Sequence, residues 1–90
     1  EPGLYLAGKF GVRIENTLLI RPYKTTDFGT FLQFEPLTLC PIDTEPIILG
    51  ELAPEEIAWL NSYHKYVYEK LAPHLDDEEK EWLKEKTKEI

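Results

Sequence analysis

At 90 residues the chain amounts to one small domain at most, near the size where a chain alone buries only a modest core. A composition that is 42% hydrophobic and 12% aromatic excludes a disordered segment. With 17 acidic against 10 basic residues and a net charge of −7, the chain lacks the clustered Lys and Arg that phosphate-backbone binding requires, so nucleic acid is not an expected partner.

No apolar run approaches the ~20 residues of a membrane span, and no basic-then-apolar leader precedes the fold, so no membrane partner is expected. The missing Met and the Glu-Pro-Gly start lead us to expect a piece of a longer chain. A single cysteine, Cys40, cannot pair within the chain and reads as a small apolar side chain, with no local base to activate it. Its solitude favours a reducing compartment.

In chain order, the strand signal is clearest from Val12 to Ile20, and a strand begun at Glu1 would turn through Ala7-Gly8-Lys9 and return as Phe10 to Ile20. Along the return, Val12, Ile14, Leu18 and Ile20 share one face while Arg13, Glu15 and Thr17 share the other. Pro22 ends or edges that strand. Thr25 through Thr30 reads as a turn, and Phe31 to Glu35 resumes an antiparallel strand until Pro36 removes a ladder donor. Leu37 to Ile42 reads as a further extended piece, and Ile47-Ile48-Leu49 as a short apolar run.

The texture changes at Glu51. Pro54 suits the first position of a helix, although Ala53 is a poor cap for it. Ile57, Leu60, His64, Val67 and Leu71 form its apolar stripe, widened by Trp59, Tyr63 and Tyr66, and Pro73 stops it. Asp76 with Glu79 predicts a capping box for a second helix anchored by Trp82, Leu83 and Ile90. The acidic run from Asp76 to Glu81 has the wrong spacing for a calcium loop and reads as a solvated helix start. Strands followed by two helices give an α+β fold. His64, on the helical stripe, and His74, after Pro73, read as packed or surface histidines.

The chemistry-bearing residues are Glu1 and Glu15, whose carboxylates can meet across an antiparallel pair. Hard divalent cations prefer such oxygen ligands, and paired metals need bridging carboxylates to sit about 3.5–4 Å apart. Arg13 can orient a carboxylate with its planar donors. Spacing alone leaves two ordinary surface glutamates as the other explanation.

Glu1-Pro2-Gly3-Leu4-Tyr5 followed by Phe10-Gly11-Val12-Arg13-Ile14-Glu15-Asn16 resembles the closing segment of the catalytic domain in pita-bread metallopeptidases. Phe34-Glu35-Pro36-Leu37-Thr38-Leu39, then Pro41-Ile42, Trp59-Leu60-Asn61 and Tyr63-His64, resemble the C-terminal extension of long, cytosolic-type aminopeptidase P. The resemblance implies that residues 1–28 end the catalytic domain and residues 29–90 form the extension. It implies that Glu1 and Glu15 are two of five ligands around two divalent ions, manganese first with zinc or cobalt as alternatives, and that Arg13 supports them. The other ligands, two Asp and one His, lie upstream in that family. The implied activity is hydrolysis of the bond before a proline at the second position of a peptide, by a metal-activated water. The implied location is cytoplasmic, and the implied partner beyond peptides is a second copy of the parent enzyme. The chain alone is then expected to be inactive. A metal-free, peptide-binding relative of the same fold is the alternative, and an independent acidic interaction module the third reading.

Overall fold

A computed structural model describes residues 2–90. Two antiparallel hairpins are followed by two helices, the α+β arrangement expected. The strands are β1 (Leu4–Leu6), β2 (Phe10–Val12), β3 (Leu18–Thr26) and β4 (Gly29–Pro36); the helices are α1 (Pro54–Leu71) and α2 (Asp77–Lys86). The chain divides after Thr38 into two compact units.

In the first unit, β1 and β2 pair in the register Leu4 to Val12, Tyr5 to Gly11 and Leu6 to Phe10. The Lys9 amide donates to the Leu6 carbonyl at 2.9 Å across a turn in which Gly8 takes φ +70°, the positive value that a type II turn needs at its third position. The β3–β4 hairpin turns over Asp27-Phe28 and re-enters at Gly29, whose φ of +129° suits glycine.

The single strand expected from Val12 to Ile20 is interrupted. Residues 13–17 lie outside any strand, and Leu18 resumes pairing with a different partner, Pro36 of β4. The cause is a change of hairpin. The Leu37 amide donates to the Thr17 carbonyl and the Thr17 amide to Thr38 Oγ1, so the backbone at Thr17 is already committed to the β3–β4 side. Pro22 does not end β3; the ladder passes from the Pro22–Leu32 pair to Lys24–Phe31, leaving Tyr23 as the extra residue of a bulge. A missing donor is tolerated beside such a bulge. Arg21 and Glu35 form an ion pair across the two strands, Arg21 exposed and Glu35 partly so, and its contribution to stability is small.

No described residue of this first unit is buried. Leu4, Leu6, Phe10 and Val12 alternate along the first hairpin and are each about half exposed, as is Leu32 of β4, and Phe34 of β4 is more so.

The second unit has its own core of Tyr63, Val67 and Leu83, flanked by Leu39, Ile42, Tyr68, Leu71, Ala72 and Leu75. Leu60, His64 and Val67 of the expected α1 stripe are buried. Helix α1 starts at Pro54 as the sequence indicated, and the weak cap is remedied from inside the helix: Glu56 Oε2 accepts from the Ala53 amide at 2.8 Å. The helix gives way at Leu71 to a tight turn over Ala72–His74 that contains Pro73. The capping box of α2 forms in both directions, Asp76 Oδ1 accepting from the Glu79 amide and Glu79 Oε2 from the Asp76 amide. Acidic residues in the first turn and Lys84 and Lys86 in the last oppose the helix dipole.

Two aromatic anchors fall elsewhere than expected. Trp59 is 50% exposed and Trp82 59% exposed, whereas Leu83 beside Trp82 is 1% exposed. Trp59 instead stacks on Tyr63, rings parallel within 2° and 5.5 Å apart. The extended piece from Leu37 to Ile42 joins no sheet; beyond the Leu37 bond to Thr17, its Cys40 and Ile42 amides are held by side chains of α1.

Candidate functional site

The first hairpin carries the candidate residues. Glu15 follows β2 by three positions and is exposed; among the described residues no hydrogen bond or ion pair engages its carboxylate, so its oxygens remain available as acceptors. Arg13, the first residue after β2, is also exposed and lacks an ion-pair partner among the described residues. Glu1, the other ligand expected from the sequence, lies outside the described residues.

Packing on this hairpin explains its two non-turn glycines. The Tyr5 ring lies across both: a Cβ added at Gly3 would meet ring carbon Cε2 at 2.6 Å, and one added at Gly11 would meet Cδ1 at 2.6 Å. Carbon atoms pack at about 3.5–4.0 Å, so neither position admits a side chain while the ring stays in place. Tyr5 is paired with Gly11 in the register, and Gly3 stands two residues before Tyr5 on the same face. Gly3 and Gly11 therefore provide a flat floor for one aromatic ring. That ring ties the two chains of the hairpin together just before the chain reaches Arg13 and Glu15.

Among the described residues no group of three or more His, Cys, Asp or Glu side chains is placed to hold a metal ion. The donor set fits hard divalent cations in kind, since Glu15 offers a carboxylate with unengaged oxygens. It falls short in number: a metal site that used Glu15 would need further ligands from outside the described residues.

Neither histidine stands near a carboxylate cluster. His74 is exposed in the turn after α1. His64 is fully buried; its Nε2 accepts from the Ile42 amide at 3.0 Å, and burial holds its pKa below the ordinary histidine value. Cys40 is exposed, its Sγ 3.7 Å from the Pro41 carbonyl. Sequence reasoning missed the partners that Tyr63, His64 and Asn61 find. The Asn61 amide oxygen accepts from the Ile90 amide at 3.1 Å and its nitrogen donates to the Ile90 carbonyl at 3.4 Å, tying the last residue to α1. Only their place on or beside the apolar stripe could have drawn notice.

Residues 30–90 match the family model for the C-terminal region of peptidase_M24. The chain is 48% identical over 94 residues to aminopeptidase P1 of Lotus japonicus, covering 100% of this chain and 14% of that protein. It is 40% identical over 92 residues to a probable Xaa-Pro aminopeptidase P of Coprinopsis cinerea, covering 97% of this chain and 15% of that one. The X-prolyl aminopeptidase of Caenorhabditis elegans, described as a cytosolic enzyme with a di-nuclear active site, superposes with a TM-score of 0.86 at 38% identity over 99% of this chain and 15% of its own. The chain thus spans about one seventh of the length of these relatives.

Proposed function

The chain belongs to the peptidase_M24 family, carrying its C-terminal region, and on that premise we propose that it is the C-terminal part of a dinuclear-metal Xaa-Pro aminopeptidase. Such an enzyme hydrolyses the bond between an N-terminal residue and a proline that follows it. In this reading residues 1–28 close the catalytic domain and residues 29–90 form the extension, with the boundary in the turn of the β3–β4 hairpin.

The register of the first hairpin carries the reading. Leu4 faces Val12, Tyr5 faces Gly11 and Leu6 faces Phe10. In that register position 15 is the counterpart of position 1, while the described pairing itself ends at Leu4 and Val12 and residues 13–17 lie outside any strand. Glu15 and, outside the described residues, Glu1 are the residues of this chain to which we assign the holding of the ions. When bound, two divalent ions supply Lewis-acid polarisation of a carbonyl and an activated water. The work of this chain is positional: the Tyr5 ring on Gly3 and Gly11 fixes the hairpin, and Arg13 orients a carboxylate through its fork of donors. Manganese is the ion we assign to the oxygen ligands, ahead of zinc or cobalt.

The bare faces of the first unit support a larger parent, because contiguous apolar surface on a stable protein is ordinarily covered. The cytosol is the assigned compartment, by analogy with the C. elegans enzyme; among the described residues no helix is long and apolar enough to cross a membrane. Pairing of two copies of the parent belongs to the same reading, with half-exposed Trp59 and Trp82 as candidate contacts, and sedimentation of the complete polypeptide measures it.

The test compares the complete polypeptide with this 90-residue chain on an Xaa-Pro peptide. Metal-dependent cleavage by the former and none by the latter is expected. Metal-dependent cleavage by the 90-residue chain contradicts the view that its ligand set is incomplete, and a complete polypeptide that binds the peptide without metal or cleavage is the metal-free relative instead.

A further inference from the structure

Two consecutive residues of α1 hold one stretch of extended backbone. The Tyr63 hydroxyl donates to the Cys40 carbonyl at 3.0 Å and lies 3.4 Å from the Cys40 amide, while His64 Nε2 accepts from the Ile42 amide at 3.0 Å. In extended chain the amides of alternate residues point the same way, so Cys40 and Ile42 present theirs together. Among the described residues the segment has no strand partner, and helix side chains satisfy the groups that a neighbouring strand would otherwise pair.

The His64 bond constrains the ring's proton. A nitrogen that accepts from an amide is unprotonated, so the single proton of the neutral ring sits on Nδ1. The ring is 0% exposed, and Nδ1 has no hydrogen-bond partner among the described residues. Adding a second proton makes both nitrogens donors. Nε2–H then points at the Ile42 N–H, and a buried cation is left with no acceptor at either nitrogen.

We propose that His64 is an acid-operated latch on the Cys40–Asp43 segment, holding it against α1 when neutral and releasing it when protonated. The groups around the latch do not offset the charge. On α1 the neighbour is the Tyr63 ring, 6.0 Å away, with its hydroxyl engaged at Cys40. On the segment the titratable groups are Cys40 and Asp43, with Glu45 just beyond it, and Asp43 Oδ1 accepts from the Glu45 amide. From α2 and its C-terminal end, Glu85, Lys86 and Lys88 line a cavity of about 230 Å³ together with Trp82 and residues Cys40 to Glu45. None of these groups is hydrogen-bonded to His64, and burial is the main cause of its lowered pKa. Because the folded-state pKa lies below the unfolded value of 6.5, the stabilising contribution is complete above that value and fades as pH falls through it towards the folded pKa. Release frees the Cys40–Asp43 wall of the cavity, so the pocket opens in acid.

The experiment follows amide hydrogen exchange of residues 39–45 in the complete polypeptide from about pH 7.5 to about pH 5, with intrinsic rates corrected. Protection of the Ile42 amide is expected to fall by about tenfold per pH unit once the pH drops below 6.5, until the folded pKa is reached. His64→Phe, which cannot titrate, is expected to abolish that dependence. Protection that stays constant over the range, or the same dependence in His64→Phe, overturns the proposal. A readout that needs no variant is the imidazole resonance of His64 in the wild-type protein: titration below pH 6.5 supports the latch, and titration at or above it overturns it.

Discussion

Gly11→Ala probes the hairpin that carries Glu15. The new methyl carbon would stand 2.6 Å from Cδ1 and 2.9 Å from Cε1 of Tyr5, about 1 Å short of ordinary carbon contact. The ring cannot yield by a small tilt, because its other edge lies over Gly3. Either the ring leaves its seat or the two strands move apart. Overpacking of this kind costs about 1–3 kcal/mol, and the partial exposure of Tyr5, 61%, places the cost at the lower end because the ring can swing into solvent. Function should suffer more than stability. A displacement near 1 Å at a reacting centre can lower turnover by about 100-fold. The assay measures Xaa-Pro cleavage and bound metal in the complete polypeptide beside Gly50→Ala, whose added carbon meets nothing within 4 Å and whose backbone needs no positive φ. The control should be near neutral. Full turnover and metal content in Gly11→Ala, or a loss no greater than in Gly50→Ala, would refute the role given to the Tyr5 floor.

Leu83→Ala should destabilise the second unit by about 2–5 kcal/mol in urea melts, since Leu83 is 1% exposed at the core, whereas Trp82→Ala should cost less despite removing the larger side chain; the reverse order would contradict the packing. Asp76→Ala removes the acceptor for the Glu79 amide and should cost about 1 kcal/mol in the same melts, with an unchanged midpoint counting against the capping box.

How much was legible depended on whether the signal was local. Pro54, Pro73 and the Asp76–Glu79 pair mark helix ends through bonds made within a few residues, and both helices formed where those marks lie. The alternation from Val12 to Ile20 was also real, yet it served two hairpins, because period-2 patterning records which face is apolar and not which strand lies alongside. Trp59 and Trp82 illustrate a related limit. Size and hydrophobicity made them anchors on paper, but burial is decided by which side of a helix faces the core, and one position separates Trp82 from Leu83. At the hairpin, alternation offered the pairing of Glu1 with Glu15, and only the resemblance gave that pairing a purpose. The ring lying on Gly3 and Gly11 carried no sequence signal beyond the glycines themselves. The clamp of Tyr63 and His64 on Cys40 and Ile42 was hidden for a different reason, being a contact across 22 and 23 residues.

The central claim is that Glu15 binds metal, and the direct measurement is the metal content of the purified complete polypeptide with Glu15→Ala beside the unaltered protein. Loss of bound divalent metal, with cleavage of Xaa-Pro peptides falling in step and the melting midpoint unchanged, is the expected result. Full metal occupancy and unaltered turnover in that variant would contradict the account.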